Sequence, residues 1–227
     1  MVKRLPSYTK AWTQPNFFDF YSCMNKQVFI RRVAKPGVFT LSLVPLGWII
    51  FLAVAGQLGA NPVEAVNRSL GDWALRFLWL TLALSPLAAL SGWGWPVRFR
   101  RMLGLFAFFY ASLHIANYVI ADQFFNWADI WTDIIKRQFI TVGMLVFVGL
   151  FILAVTSPKS AVKKLGAKRW RKLHRLIYPA AIGTVLHYVM MIKADLMQPA
   201  IYAVLLAVLL GLRLYLRRIR PSFPTKH

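Results

Sequence analysis

The sequence predicts an all-α protein, a polytopic membrane helix bundle of about six transmembrane helices. Hydrophobic residues make up 58% of the chain and charged residues 15%, whereas soluble domains carry about 25% charged residues. The apolar residues form six runs, each close to the roughly 20 residues that a helix needs to cross a bilayer. The basic residues lie in short clusters between these runs, as membrane topology signals do. We therefore expect one membrane domain in a lipid bilayer and no nucleic-acid partner, despite a formal charge of +21.

Turn-forming residues separate the six runs in chain order. The predicted helices are 38–57, 73–90, 102–121, 138–156, 173–192 and 199–216. Asn61-Pro62 follows the first run, a Gly- and Trp-rich segment at 91–96 follows the second, and Ser157-Pro158 follows the fourth. Prolines that fall inside a run are expected to kink a membrane helix without ending it.

The positive charges predict the orientation, because Lys and Arg accumulate in short cytoplasmic loops. With the amino terminus inside, 23 of the 28 Lys and Arg residues fall inside. The five that fall outside are Arg68, Arg76, Lys136, Arg137 and Lys193. We expect a multi-pass protein of the bacterial inner membrane with a cytoplasmic arm at 1–36, a transmembrane domain at 37–220 and a cytoplasmic tail at 221–227. The arm does not resemble a secretory signal.

The single cysteine, Cys23, limits the redox chemistry of the chain. One thiol cannot form an internal disulfide, ligate an iron–sulfur cluster alone or provide the C-x-x-C-H attachment of c-type haem. Any haem is therefore expected to be bound noncovalently.

Two histidines lie at matched depth in separate predicted helices. His114 follows Met102 by 12 residues, and His187 follows Leu173 by 14, on helices that both run outward. At about 1.5 Å per residue, both imidazoles lie roughly 18–21 Å from the cytoplasmic side. Ionisable residues at this depth are costly and usually functional. Such a pair can bind one haem iron from opposite faces.

Small residues flank both histidines on their own helices, as a porphyrin packed against a helix requires. They are Ala107 and Ala111 beside His114, and Ala180, Gly183 and Thr184 beside His187. The alternative is that these residues only pack the bundle and that each histidine hydrogen-bonds to another helix. A zinc site is less favoured, because no Cys, Asp or Glu lies at similar depth.

His174 lies 13 residues before His187, about 20 Å away along the helix axis. Thirteen residues place the two side chains about 140° apart on an ideal helix, so a shared role requires a deformation, for instance at Pro179. The position 13 before His114 is Arg101, which is not an iron ligand. His174 could ligate a second haem, contact a flavin or quinone, or be solvated. His227, in the tail, is expected to be solvated.

The sequence resembles the MsrQ family, the haem-binding membrane subunit of the bacterial periplasmic methionine-sulfoxide reductase system, within the ferric-reductase-like transmembrane group. The resemblance rests on RRMLGL at 100–105, WRKLHRLIYP at 170–179, His114 and His187. The 60-residue spacing from His114 to His174 also fits. The resemblance runs over about 37–220 and identifies this region as a ferric-reductase-like transmembrane haem domain.

The resemblance implies a b-type cytochrome that acts as an electron-transfer subunit rather than a catalytic one. Electrons would come from the quinone pool or a cytoplasmic flavin reductase. They would pass to a periplasmic molybdopterin methionine-sulfoxide reductase subunit, which repairs oxidised periplasmic proteins. The implied cofactors are haem b, one or two, with FMN or quinone.

The resemblance also suggests how the site residues divide. His114, His187 and His174 are the candidate metal ligands, while Arg101, Arg171 and Arg175 are candidate contacts of haem propionates or a flavin phosphate. Cytoplasmic positive charge alone is the simpler explanation of the basic residues. Two other functions stay open: a transporter that binds substrate through the histidines, and a non-redox assembly protein in which they only pack.

Overall fold

The computed structural model describes residues 27–192 and 196–219, and these residues form helices without β-strands. The α-helices are α1 (Lys35–Val54), α2 (Pro62–Ser91), α3 (Arg100–Asn117), α4 (Trp127–Lys136), α5 (Gln138–Val155), α6 (Lys159–Leu165), α7 (Ala167–Leu173), α8 (Ile177–Met191) and α9 (Met197–Ile219). The predictions for Cys23, Lys193 and His227, for the tail and for most of the amino-terminal arm concern residues outside the described ranges.

The prediction of an all-α polytopic membrane protein is confirmed. Within the described ranges, five helical segments are long and apolar enough to cross a membrane: Gln27–Val54, Pro62–Ser91, Pro96–Asp122, Gln138–Val155 and Met197–Leu216. The fifth predicted run, 173–192, is not among them and corresponds to α8, which has 15 residues. An α-helix of that length spans about 22 Å, shorter than the roughly 30 Å hydrocarbon core.

Helix α2 begins at Pro62, well before the predicted start at 73. Asn61 caps it, because its side-chain oxygen accepts a hydrogen bond from the Glu64 amide at 3.2 Å. Proline suits the first turn, where its missing N–H is not needed. The helix ends at Gly92, whose φ of 72° is the left-handed conformation typical of helix ends. A capped start therefore extends α2 through a polar segment that hydropathy alone excluded.

The chain changes helical geometry just before Pro179. A 3₁₀ turn, His174–Leu176, separates α7 from α8. Pro179 has no N–H to donate to Arg175, four residues earlier, and its ring crowds that carbonyl. The α-helical path cannot continue unchanged through this point, so the phase between His174 and His187 differs from that of one ideal helix.

Contacts divide the chain into two compact units, 1–41 and 42–227. In the described part of the first, Thr40 donates from Oγ1 to the Pro36 carbonyl at 3.1 Å. In the second, α2 packs along α3, and α5 packs along α8. Fully buried Tyr110 donates to the Ser42 carbonyl at 2.8 Å and stacks on Phe77 at 5.2 Å between ring centroids.

Candidate functional site

The imidazole of His114 on α3 lies against the backbone of α2. Its Nδ1 is 2.9 Å from the Asn67 carbonyl oxygen. One turn further along α2, Gly71 leaves the space that the ring occupies. A Cβ on Gly71 would lie 3.3 Å from both Cε1 and Nδ1 of His114. A hydrogen bond and a close backbone approach therefore hold the ring in place.

His187 on α8 repeats this arrangement against α5. Its Nδ1 is 2.7 Å from the Phe139 carbonyl oxygen. A Cβ on Gly143, four residues after Phe139, would lie 2.9 Å from both Cε1 and Nδ1 of His187. We call each carbonyl with its following glycine a cradle: Asn67 with Gly71, and Phe139 with Gly143.

The cradles determine which imidazole nitrogen is available. A carbonyl can only accept, so Nδ1 carries the proton in both rings and Nε2 keeps its lone pair. Within 27–192 and 196–219, Nε2 of neither ring makes a hydrogen bond. Helix α3 also packs against α5, the helix that holds the His187 imidazole. The structure thus places both predicted histidines in one packed bundle, each with Nδ1 bonded to a carbonyl and Nε2 unbonded.

His174 has a different environment, at the end of α5. Its ring stacks on Trp170, with 3.9 Å between centroids, and its Nε2 is 3.2 Å from Thr156 Oγ1. Trp170 Nε1 donates to the Thr156 carbonyl at 2.9 Å. The Thr156 hydroxyl proton is directed to the Ile152 carbonyl at 2.6 Å, so Oγ1 accepts from Nε2–H of His174. The protonated nitrogen is the opposite one to that in His114 and His187.

The structure places the predicted arginines on the surface. Arg101, Arg171 and Arg175 are exposed. Arg100 is half-buried instead, donates from Nη1 to Ser85 Oγ at 3.3 Å and interacts electrostatically with His174. The 13-residue spacing singled out Arg101, but the half-buried arginine in the structure is its neighbour, Arg100.

The two cradle glycines were missed by the sequence reasoning, which considered only neighbours on each histidine's own helix. A glycine isolated in an apolar helix often marks a close approach, and that was the available signal. In the described part of the chain, no three His, Cys, Asp or Glu residues form a group that could hold a metal ion. A tetrahedral zinc site therefore has no ligand set there, whereas the bis-imidazole axial coordination of haem needs only two residues.

Comparison with known proteins agrees with a helical membrane bundle. The family model described as "Ferric reductase like transmembrane component" matches residues 70–185, a range that includes His114 and His174 and ends just before His187. The fold and site thus define a ferric-reductase-like transmembrane protein.

Close relatives narrow the class to one family. A protein of Rhodospirillum rubrum named "Protein-methionine-sulfoxide reductase heme-binding subunit MsrQ" is 53% identical over 81% of this chain and 88% of its own length. A protein of the same name in Herminiimonas arsenicoxydans is 48% identical over 80% of this chain and 84% of its own length. The protein of that name in Brucella ovis is 42% identical over 85% of this chain and 90% of its own length. The chain belongs to the MsrQ family.

Proposed function

We propose that this chain is a haem-binding electron carrier in which His114 and His187 would hold the haem iron through Nε2. The pair of cradles carries the proposal. Metal-ligating histidines characteristically donate their other ring N–H to a backbone carbonyl or carboxylate, which fixes the ring and its tautomer. Two rings prepared in this way on facing helices suit a b-type haem, and the relatives' name, heme-binding subunit, agrees. When bound, haem would supply a one-electron redox couple.

The protein's contribution is to hold the ligands and control their surroundings. The carbonyls of Asn67 and Phe139 fix both tautomers and raise the basicity of Nε2. The glycines let each ring approach the neighbouring helix closely, so neither imidazole can rotate freely. If His114 and His187 both held the haem iron, no position would be left for a small molecule, which would favour electron transfer over ligand activation.

The contacts of His174 support one haem rather than two. Its Nε2 is bonded to Thr156. The residue that would be its partner, 13 positions before His114, is Arg101, which is not an iron ligand. We assign His174 to the side where electrons are received. The basic residues near it, Arg100 with the predicted Arg101, Arg171 and Arg175, suit an anionic group such as the phosphate of FMN. A quinol or a cytoplasmic flavin reductase would be the donor.

The direction of transfer is outward, from this basic side towards the opposite end of the bundle. The positive-charge asymmetry supports cytoplasmic termini in a bacterial inner membrane. The recipient would be a periplasmic molybdopterin methionine-sulfoxide reductase subunit, consistent with the relatives' name. The chain would then serve the repair of oxidised periplasmic proteins. A phosphatase reporter that is active only in the periplasm should be inactive when it is fused after His227. Strong activity of this fusion would reverse the orientation.

The reduced-minus-oxidised absorption spectrum of the purified chain tests the central proposal. We expect the narrow bands of a six-coordinate, low-spin b-type haem at about one haem per chain. A transporter or an assembly protein would be purified without haem, even from cells supplied with haem precursors. A spectrum without haem bands under those conditions would reject the electron-carrier function.

A further inference from the structure

Helix α4 occupies a particular place in the chain, between two membrane-spanning segments. It follows the segment Pro96–Asp122 and runs directly into α5, because Arg137 is both the cap that ends α4 and the cap that begins α5. Its 10 residues span about 15 Å, half the hydrocarbon core. The end of the bundle where one span ends and the next begins is a membrane surface, so α4 lies near that surface.

The side chains of α4 divide into three sectors around its axis, at about 100° per residue. One sector faces the protein: Ile130 is 5% exposed, and Asp133 and Ile134 are half-buried. A second is polar and exposed. It contains Asp129, Thr132 and Lys136. The third is apolar and exposed, with Trp127 at 66%, Trp131 at 64% and Ile135 at 65%.

The informative feature of α4 is that it has three sectors rather than two. A helix in water beside a protein needs only two sectors, one buried and one polar. A helix at a membrane–water interface beside a protein has three neighbours, and tryptophan is the side chain favoured at headgroup level.

The loop before α4 shows the same exposure of aromatic rings. Phe124 is 80% exposed and Phe125 is 53% exposed. Their φ angles of 46° and 60° lie in the left-handed region, which is unfavourable for residues other than glycine. Exposing two bulky apolar rings to water would add to this unfavourable conformation, whereas contact with the lipid headgroup region would stabilise the rings.

We propose that α4 is an interfacial helix, with Trp127, Trp131 and Ile135 inserted in the lipid headgroup region. Contacts join α4 to residues close in sequence to His114 and to the cradle of His187. Tyr118, one turn after His114, donates to Asp133 Oδ2 at 3.0 Å, and Arg137 pairs with Asp133 at 3.0 Å. Arg137 also lies two residues before Phe139, whose carbonyl binds His187. An interfacial α4 is therefore in contact with the chain next to both histidine sites.

Site-directed spin labelling tests this placement. In a Cys23→Ser background, single cysteines are introduced one position at a time from 127 to 136 and labelled in nanodiscs of phosphatidylethanolamine and phosphatidylglycerol. Collisions with oxygen, which concentrates in lipid, are compared with collisions with a water-soluble nickel chelate. For Trp127→Cys, Trp131→Cys and Ile135→Cys we expect oxygen accessibility to exceed nickel accessibility severalfold.

The matched controls are Asp129→Cys, Thr132→Cys and Lys136→Cys, for which the ratio should be reversed. All six positions are exposed, so the substitutions leave the core intact, and gel filtration checks each variant. Nickel accessibility at 127, 131 and 135 equal to that at 132 would overturn the proposal, because the sector would then face water. Protection from both reagents would also overturn it, because a protein surface or a second copy of the chain would then cover the sector.

Discussion

The imidazole of His187 occupies the space in which a side chain on Gly143 would begin. A Cβ there would lie 2.9 Å from Cε1 and Nδ1, a separation at which one of the groups must shift. A Cβ on Gly71 would have slightly more room, since it would lie 3.3 Å from Cε1 and Nδ1 of His114. Since both neighbours are aromatic rings held by hydrogen bonds, the space cannot be made by a flexible chain end. The two cradles should therefore differ in their tolerance of a methyl group.

We expect Gly143→Ala to displace His187 and weaken its bond to the Phe139 carbonyl, so that haem content falls severalfold or the low-spin EPR signal changes. Gly71→Ala should retain most of the haem, with a smaller spectral change. Gly211→Ala is the control, since nothing lies within 4 Å of the added Cβ. Haem per chain and EPR line positions are the measurements. A normal haem content and normal spectrum in Gly143→Ala would contradict the cradle assignment.

The histidines themselves should separate into two groups. His114→Ala and His187→Ala should each lose most of the haem, because an apolar bundle offers no replacement ligand. His174→Ala should retain the haem spectrum, because Nε2 of His174 is bonded to Thr156 and does not hold iron. It should accept electrons slowly from a flavin or quinol donor, because we assign His174 to the side where electrons are received. Haem content and the stopped-flow reduction rate distinguish these effects. Near-normal haem in both of the first variants, or complete loss in the third, would refute this division.

Arg100 and Arg101 provide a matched comparison at adjacent positions. Arg100 is half-buried and donates to Ser85, and after burial its charge also lowers the pKa of His174, whereas Arg101 is exposed. We expect Arg100→Gln to slow reduction by an anionic flavin about tenfold, and Arg101→Gln to have a smaller effect. The spacing pattern in the sequence favours Arg101 instead. Rates measured at low and high ionic strength decide, because solvent screens an exposed charge more strongly. A larger loss in Arg101→Gln would restore the prediction from spacing.

The stability of the bundle should depend on the Tyr110 hydroxyl. It donates to the Ser42 carbonyl at 2.8 Å and accepts from the Leu46 amide at 3.1 Å. Tyr110→Phe should cost about 1–2 kcal/mol, because one buried hydroxyl holds two backbone groups of α1. Thermal unfolding in detergent should show a lower Tm, with Tyr215→Phe, at an exposed position, as the control. An unchanged Tm would mean that water replaces the hydroxyl without loss.

Hydropathy predicted the order of the helices, because that order follows from local composition. The pairing of His114 with His187 follows from helix rise and stays a prediction. The predicted start of α2, at 73, was wrong, because the Asn61 cap and Pro62 begin the helix earlier, in a segment whose polar residues lower its hydropathy. The cradles and the contacts of Arg100 could not be predicted in the same way. They depend on the rotation of each helix against its neighbour, and the 3₁₀ turn before Pro179 changes that rotation for His174. Spacing along one helix carries no information about a glycine on another.

Thr156 provides the sharpest test of how His174 acts. Its Oγ1 accepts from His174 Nε2, and Trp170 holds the same residue through the Thr156 carbonyl. Thr156→Val keeps the shape of the side chain but removes the acceptor, so the imidazole loses its fixed orientation. Thr156→Ser keeps the hydroxyl and should restore it.

We therefore expect Thr156→Val to slow donor-driven reduction severalfold while leaving the haem spectrum and haem content at wild-type levels. Thr156→Ser should recover most of the rate. The Tm of both variants must be measured as well, because Oγ1 also bonds to the Ile152 carbonyl at the end of α5. If Thr156 positions His174, the reduction rate should depend on whether residue 156 has a hydroxyl and not on the Tm of the variant. If the valine and serine variants reduce equally fast, His174 does not depend on Thr156, and its place on the electron-receiving side loses its structural support.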